Sequence, residues 1–213
     1  MRQSQSSFKV KYLGQRGYAE VLAEQQQFTQ GRTGKEQDEL WVVSHPPVFT
    51  LGQSGKIEHV LNLGNIPLQQ SDRGGQVTYH GPGQIVIYTL LNVKQRGLGV
   101  RALVSSLELA ILDCLSEFGV QAELRPGAPG VYVGSQKIAA LGLRISRGYS
   151  YHGLSLNVKM DLLPFSQINP CGYAGLEVTD MFCQGVEVPQ DTIEQALLKH
   201  LQYRLTSAEI RAS

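Results

Sequence analysis

The sequence predicts a fold of the α/β class (α+β), in which helices pack on one side of a mixed or antiparallel sheet. Residues 85–91 are almost continuously apolar and β-branched, which is typical of a strand buried on both faces. Residues 103–118 carry apolar side chains at i, i+3, i+4 and i+7, the spacing of an amphipathic helix. Strands and helices do not alternate strictly along the chain, which argues against a doubly wound parallel sheet.

The elements before the central strand follow from local patterns. Apolar residues recur at near-helical spacing over residues 15–30 and predict a helix. Residues 31–36 are rich in loop formers and predict an exposed connection. Residues 41–44 and 48–51 predict two short strands. The prolines at 46–47 mark a bend between them, because proline cannot donate to a strand ladder.

The elements after the central strand can be assigned in the same way. Gly119 is placed to end the helix over 103–118. Residues 131–133 and 137–145 predict a hairpin. Residues 152–158 alternate between apolar and polar with period 2, which predicts a half-buried strand.

The C-terminal part of the chain predicts a last helix. Asp191 with Glu194 three residues later resembles a capping box, and apolar residues at helical spacing follow. No Pro-rich, Gly-rich or strongly charged linker interrupts the chain. We therefore expect one domain over residues 1–213.

Composition excludes several classes of protein. The chain has 19 Lys+Arg against 18 Asp+Glu, and a net charge of +1 provides no basic field for nucleic acid. No stretch approaches the roughly 20 apolar residues of a membrane helix, and the N-terminus lacks the apolar stretch of a secretory signal. The three cysteines do not make a disulfide framework. We expect a cytoplasmic protein with reduced thiols.

The most unusual stretch is residues 73–84, RGGQVTYHGPGQ, directly before the central strand. Glycine lets a backbone approach a ligand closely and offer bare N–H groups, so this segment is a candidate binding loop. The alternative is an irregular turn whose glycines only satisfy positive φ angles. Composition alone leaves both interpretations open.

Among the cysteines, Cys171 is the best candidate for a reactive thiol. It stands between Pro170 and Gly172, in a turn sequence, where a side chain is exposed. Cys114 occupies an apolar position of the predicted helix, where cysteine acts as a small hydrophobe. Cys183 follows two large apolar residues, and we expect it to pack in the same way.

A nucleophilic cysteine needs a group that holds its thiolate, because little of an unassisted thiol is ionised at neutral pH. A nearby cation can raise the ionised fraction by about 25-fold. Lys137, at the start of an apolar strand, is a candidate, although its spacing also fits an ordinary strand-end lysine that faces water. His80 and His152 are rival bases, and each fits a structural histidine equally well.

Other site motifs are absent or incomplete. Residues 97–102 fit G-x-G-x-x-A and open a predicted helix, with Glu123 about 20 residues later. Five residues separate this motif from the strand, whereas a dinucleotide fingerprint begins at a strand end, so we expect no dinucleotide site. No P-loop, G-x-S-x-G elbow, C-x-x-C or H-x-x-x-H motif occurs, and we expect no metal site.

Four segments together resemble the lipoyl(octanoyl) transferase family. They are RGGQVTYHGPGQ at 73–84, GSQKIA at 134–139 with LGLR at 141–144, HGLSLN at 152–157, and INPCG at 168–172. The resemblance covers roughly residues 40–185, and the two ends of the chain carry no signature.

The resemblance implies the mixed sheet of lipoate and biotin protein ligases. It implies transfer of an octanoyl chain from octanoyl-acyl carrier protein to a lysine of lipoyl domains in 2-oxoacid dehydrogenase complexes or of the glycine cleavage H protein. No cofactor, nucleic acid or membrane is implied, and we expect a monomer.

The resemblance also assigns residues. Cys171 matches the nucleophile of the family, and Lys137 matches its partner. Fourteen further positions match contacts to the acyl substrate: Arg73, Gly74, Gly75, Gln76, Val77, Thr78, Tyr79, His80, Ala140, Leu141, Gly142, Gly153, Leu154 and Ser155. Tyr79 and Ala140 fall where variation in the family is expected.

Three alternative functions stay open on the sequence. An ATP-dependent lipoate or biotin ligase of the same fold would need no cysteine, whereas a catalytically dead module would only hold a lipoyl domain or carrier protein. A cysteine hydrolase would release free octanoate. For protein partners, Arg73, Arg144 and Arg147 are candidates for a basic docking patch.

Overall fold

The computed structural model describes residues 8–170 and 175–212, with side chains as far as residue 207. The helices are α1 (Tyr18–Gly31), α2 (Val100–Glu117) and α3 (Gln190–Ala212). The strands are β1 (Lys9–Gln15), β2 (Glu39–Ser44), β3 (Val48–Leu51), β4 (Leu68–Gln70), β5 (Val77–His80), β6 (Gln84–Leu90), β7 (Glu123–Arg125), β8 (Ala128–Val133), β9 (Gln136–Ser146) and β10 (Tyr149–Asn157). Two 3₁₀ turns, Ile57–His59 and Leu163–Gln167, complete these ranges.

The main sheet has seven strands in the order β1-β2-β6-β10-β9-β8-β7. Its β1 and β2 run parallel, and the other neighbours run antiparallel. A smaller sheet has the order β4-β3-β5 and also mixes the two directions. The predicted mixed sheet is confirmed.

The central strand β6 is buried on both faces, as its apolar run predicts. Ile85 and Ile87 join the core beneath α2 and α3. Val86 and Tyr88 point the other way, into a second cluster that includes Val21 of α1. The prediction that the helices lie on one side was therefore wrong, because α1 covers the opposite face. The same double cover buries nearly all of β10, which was predicted as half-buried.

The smaller sheet has an apolar core of its own. Phe49 and Leu51 of β3 pack against Val77 and Tyr79 of β5 and against Phe165. The segment 73–84 is therefore not one irregular turn, because residues 77–80 form a strand. Only the stretches before and after β5 are loops.

The predicted helices and hairpin are confirmed, with ends shifted by a few residues. Gly119 has φ +77°, which suits the residue that follows a helix. The predicted capping box at Asp191 was wrong. The helix α3 begins one residue earlier, and Asp191 Oδ1 accepts from the N–H of the next residue, Thr192, at 2.8 Å, whereas a capping box needs the N–H three residues later. The strand β1 and the three-residue strands β4 and β7 had no clear sequence signal.

Two further expectations can be compared with the structure. Cys114 is buried, as predicted, but Cys183 is exposed, so its packing was predicted wrongly. The strand before the G-x-G-x-x-A motif, β6, pairs antiparallel with both its neighbours, so it is not part of a parallel βαβ unit. Among the described residues, no helix is both long enough and apolar enough to cross a membrane.

Candidate active site

A cleft of about 520 Å³ lies between β9 and β10 and the segment 73–80. The sequence-predicted residues that line it are Arg73, Gly75, Gln76, Val77, Thr78, His80, Lys137, Ala140, Leu141, Gly142, Gly153, Leu154 and Ser155. Three stretches of the sequence, 73–80, 137–142 and 153–155, thus meet at one cavity.

Two predicted contact residues are placed away from the cleft lining. The Tyr79 ring packs against Phe49 and Phe165, at 5.6 and 5.4 Å between ring centroids, so it stabilises the smaller sheet. Successive strand residues point to opposite faces, which is why Tyr79 differs from Thr78 and His80. Gly74 instead donates its N–H to the carbonyl of Leu143 at 2.9 Å and fixes the loop on β9.

Arg73 is a buried clamp within its own loop. Its Nη2 donates to the Thr50 carbonyl at 2.7 Å and to the Gln76 carbonyl at 2.8 Å. Its Nη1 donates to the Gly74 carbonyl at 3.0 Å. Because the side chain is only 8% exposed, Arg73 is removed from the predicted docking patch. Arg144 is half-buried and Arg147 is exposed.

Replacing the clamp should destabilise the loop. We expect Arg73→Lys to lower the free energy of unfolding by about 1–3 kcal/mol, because lysine leaves buried carbonyl groups without donors. Urea unfolding measures this. Arg144→Lys, at a side chain with a hydrogen bond to Gln53, is the control and should change the free energy by less than about 0.5 kcal/mol. Equal midpoints for Arg73→Lys and wild type would contradict the clamp.

The alternative interpretation required Lys137 to face water, but its side chain is buried. It is 4% exposed, and its Nζ donates to the Pro129 carbonyl at 2.8 Å. Gly130 has φ +127°, and a Cβ there would lie 2.5 Å from the Lys137 Cε. The glycine therefore makes room for the lysine side chain to pass.

A second cavity of about 300 Å³ adjoins the cleft. Four residues line both: Thr78, Lys137, Ala140 and Ser155. Pro170 lines the second cavity. Lys137 therefore lies where the two cavities meet. Cys171 itself lies outside the described residues.

A histidine cluster adjoins the cleft, which His80 lines. His80 Nδ1 is 2.7 Å from Gln84 Oε1, and the His80 ring stacks on Tyr18. Burial lowers the pKa of His80 to about 3, and nearby His45 adds to the effect. Burial also lowers the pKa of His45. Both rings are therefore neutral at pH 7.

This cluster should make the fold sensitive to acid. Below about pH 6.5 the unfolded chain binds a proton at His80 that the folded chain excludes until about pH 3. Stability should therefore fall with pH in this window, by up to about 1.4 kcal/mol per pH unit for this histidine. Urea midpoints at pH 7 and pH 5 measure the loss, which His80→Gln should reduce. His59→Gln, outside the cluster, should leave the loss unchanged; a similar loss in His80→Gln would contradict this assignment.

His152 is held differently. Its Nε2 lies 2.7 Å from Asp72 Oδ1, and Tyr151 donates to the other Asp72 oxygen. Burial lowers the pKa of His152, and the nearby carboxylate only partly offsets this. The neutral ring thus donates from Nε2. Its Nδ1 is buried and has no hydrogen-bond partner among the described residues.

Sequence reasoning missed three residues of the lining: Tyr18, Val86 and Tyr88. Tyr18 stands in an ordinary helical pattern, and the other two lie within an apolar strand. No local signal marks them, because the cleft forms only when α1 and β6 meet the segment 73–80.

A family model described as the lipoyl protein ligase A/B catalytic domain matches residues 17–202. An octanoyltransferase of Alkalilimnicola ehrlichii is 53% identical over 195 residues, which cover 92% of this chain and 91% of that protein. An octanoyltransferase of Laribacter hongkongensis is 54% identical over 196 residues, covering 92% and 95%.

Solved structures show the same fold at low sequence identity. A lipoate-protein ligase A bound with ATP matches with a TM-score of 0.80 and 16% identity, covering 93% of this chain and 85% of that one. A putative lipoate protein ligase of T. acidophilum with bound lipoic acid matches with a TM-score of 0.77 and 18% identity, covering 93% and 86%. The expected ligase-like fold is confirmed.

Proposed function

Because the chain belongs to the lipoyl protein ligase A/B catalytic domain family, we propose that it is an octanoyltransferase that works through an acyl-enzyme. The donor is the thioester of octanoyl-acyl carrier protein. The acceptor is a specific lysine of a lipoyl domain. The names of relatives at 53–54% identity support the acyl transfer, and the donor, the cysteine and the acceptor lysine are our proposal.

One observation carries the proposal: the buried Lys137 lines both the cleft and the second cavity beside it. Apolar and small residues line the cleft beyond Lys137, among them Val77, Val86 and Leu141. Each CH₂ group buried there contributes about 0.8 kcal/mol. The arrangement suits an acyl chain in the cleft with its thioester beside the lysine.

The described residues on both sides of Cys171 support its role. Pro170 lines the cavity that Lys137 also lines, and consecutive Cα atoms are about 3.8 Å apart. On the other side, the Lys137 N–H donates to the Glu177 carbonyl at 2.9 Å, and the Thr179 N–H donates to the Lys137 carbonyl at 3.0 Å. The chain thus enters and leaves the Cys171 segment beside the lysine.

The first half-reaction is proposed to make the acyl-enzyme. The Cys171 thiolate attacks the octanoyl carbonyl, the bond to the carrier sulfur breaks, and the carrier thiolate takes a proton from Lys137. One thioester replaces another of nearly equal energy, so the step needs no ATP. The ammonium group of Lys137 stabilises the thiolate before attack.

The second half-reaction makes the product. The acceptor amine attacks the acyl-enzyme carbonyl, Lys137 takes the amine proton, and the Cys171 sulfur leaves. An amide replaces a thioester, which is strongly downhill. Backbone N–H groups of the glycine-rich loop, at Gly75 and its neighbours, are candidates to stabilise the oxyanion. Two separate half-reactions predict ping-pong kinetics.

The partners belong to the same proposal. A solved relative of this fold is described as a bipartite archaeal lipoate protein ligase and its E2 lipoyl domain. For this chain we propose lipoyl domains of 2-oxoacid dehydrogenase complexes and the glycine cleavage H protein as acceptors. We place the reaction in the cytoplasm and the enzyme as a monomer, one domain over residues 1–213.

An ATP-dependent ligase is the second candidate, because a neighbour of this fold was solved bound with ATP. To distinguish a transferase from a ligase, lipoyl domain is mixed with either octanoyl-carrier protein alone or octanoate plus ATP. The proposal expects octanoylation in the first mixture only. Product in the second alone would show a ligase, free octanoate without acceptor would show a hydrolase, and no product in either would leave a binding module.

A further inference from the structure

The floor of the cleft consists of small residues paired across two strands. Ala140 lies opposite Ser155, and Gly142 lies opposite Gly153. Residues two apart on a strand point to the same face, so these four share one face of the sheet. All four line the cleft. We name the part of the cleft that these pairs border the slot. A side chain at Gly142 would meet Arg73 Cδ at 3.0 Å and the Gly74 carbonyl at 3.1 Å, so residues 73–74 bound the slot there.

Four rings line the cleft, and we name them the distal wall: Tyr18, His80, Tyr88 and His152. They come from α1, β5, β6 and β10. Each ring is held by a hydrogen bond to a group that does not line the cleft. Tyr18 and Ser71 form one such bond at 2.7 Å between hydroxyl oxygens.

The Tyr88 anchor is a relay of two hydrogen bonds. His45 Nδ1 donates to the Arg16 carbonyl at 2.7 Å, which leaves Nε2 as an acceptor. The Tyr88 hydroxyl therefore donates to Nε2, also at 2.7 Å. Both His45 and Tyr88 are buried. A ring fixed in this way cannot move aside without breaking a buried hydrogen bond.

His152 is the part of the distal wall under most constraint. Its φ of +60° is unusual for a residue other than glycine. Its Nε2 is held by Asp72, and its ring stacks on Tyr151. The buried Nδ1 lacks a partner among the residues described, so water suits this position better than hydrocarbon.

The register of β9 and β10 places His152 about the length of one octanoyl chain from the border between the two cavities. The Ala140–Ser155 pair borders both cavities, and the Leu143–His152 pair lies three residues further along. Three residues of strand span about 10 Å. An extended octanoyl chain measures about 9 Å from carbonyl carbon to methyl, and two more carbons add about 2.5 Å.

We propose that the distal wall sets the acyl length, with His152 as the specificity-determining residue. The inference rests on the proposed function, because it names the acyl chain as the occupant of the slot. A decanoyl chain would have to push the anchored rings apart or cover the unpartnered nitrogen of His152.

The test compares octanoyl and decanoyl groups in wild type, His152→Asn and Tyr18→Leu. Asparagine tolerates a positive φ and is shorter than histidine, whereas Tyr18→Leu opens the wall from α1. The readout is the ratio of kcat/KM for decanoyl- over octanoyl-carrier protein. We expect at least one variant to raise this ratio about tenfold, the order expected for two further buried CH₂ groups. Tyr12→Phe, at an exposed ring of β1 outside the cleft lining, should keep the wild-type ratio.

A binding measurement tests the role of the distal wall separately from the proposed octanoyl transfer. Calorimetry of free octanoate and decanoate with Cys171→Ser, alone and combined with His152→Asn or Tyr18→Leu, reports length preference without chemistry. A shift toward decanoate in either combination supports the distal wall even if no transfer is found, in which case only the proposed function fails. Unchanged length preference in both variants, by either readout, overturns the inference even if wild type transfers octanoyl groups.

Discussion

Cys171→Ser should abolish octanoyl transfer, with a loss of at least about 10³-fold in kcat. Serine keeps the shape of the side chain, but its hydroxyl does not ionise near neutral pH. No acyl-enzyme should then form, since Lys137 has no thiolate to stabilise. Steady-state octanoylation of a lipoyl domain, with octanoyl-carrier protein as donor, measures the effect.

The chain offers a matched control for this change. Cys183 is exposed, so Cys183→Ser alters a thiol without opening a core cavity. It should keep the wild-type rate. If Cys171→Ser retained a rate within about threefold of wild type, Cys171 would be excluded as the nucleophile, and the alternative of an ATP-dependent ligase would gain weight.

Lys137→Met should slow the acylation half-reaction by about 10²–10⁴-fold. Methionine fills most of the space of the buried lysine stem, so folding should survive, but it neither stabilises a thiolate nor moves a proton. Lys137→Arg should not restore the rate, because a guanidinium does not give up its proton. Single-turnover acylation followed by quenching measures this step separately from transfer to the lysine.

The pH dependence distinguishes a chemical role from a structural one. In Lys137→Met the acylation rate should rise as the pH increases, because hydroxide then ionises the thiol that the lysine no longer assists. Lys159→Met is the control, at an exposed lysine beside Phe182. A wild-type acylation rate in Lys137→Arg would disprove the proton transfer, whereas a flat pH profile in Lys137→Met would point to misplacement of the site.

The sequence predicted the framework because its signals are local. The apolar run of β6 and the helical spacing of α2 each depend on neighbours within a few residues. The glycine-rich segment, Lys137 and residues 153–155 were identified as candidates, and the structure brings them to one cleft. The composition of the segment 73–84 did not reveal that β5 lies within it.

What the sequence could not predict depends on distant contacts. Lys137 was ambiguous because its surroundings come from Gly130 and from residues 177–179, which are distant in the sequence. Arg73 was assigned to a docking patch, yet Thr50, 23 residues earlier, holds it inside. The distal wall combines rings from four elements, and only the register of β9 against β10 shows how far it lies from Lys137.

The proposed mechanism requires a covalent octanoyl group on Cys171, and intact-protein mass spectrometry detects that group directly. Wild type and Cys171→Ser are each mixed with octanoyl-carrier protein, without ATP, and lipoyl domain is added afterwards. We expect an octanoyl adduct on wild type alone, which is lost on addition of the acceptor as the lipoyl domain gains the same mass. An adduct on neither protein, with transfer appearing only from octanoate and ATP, would contradict the proposed mechanism.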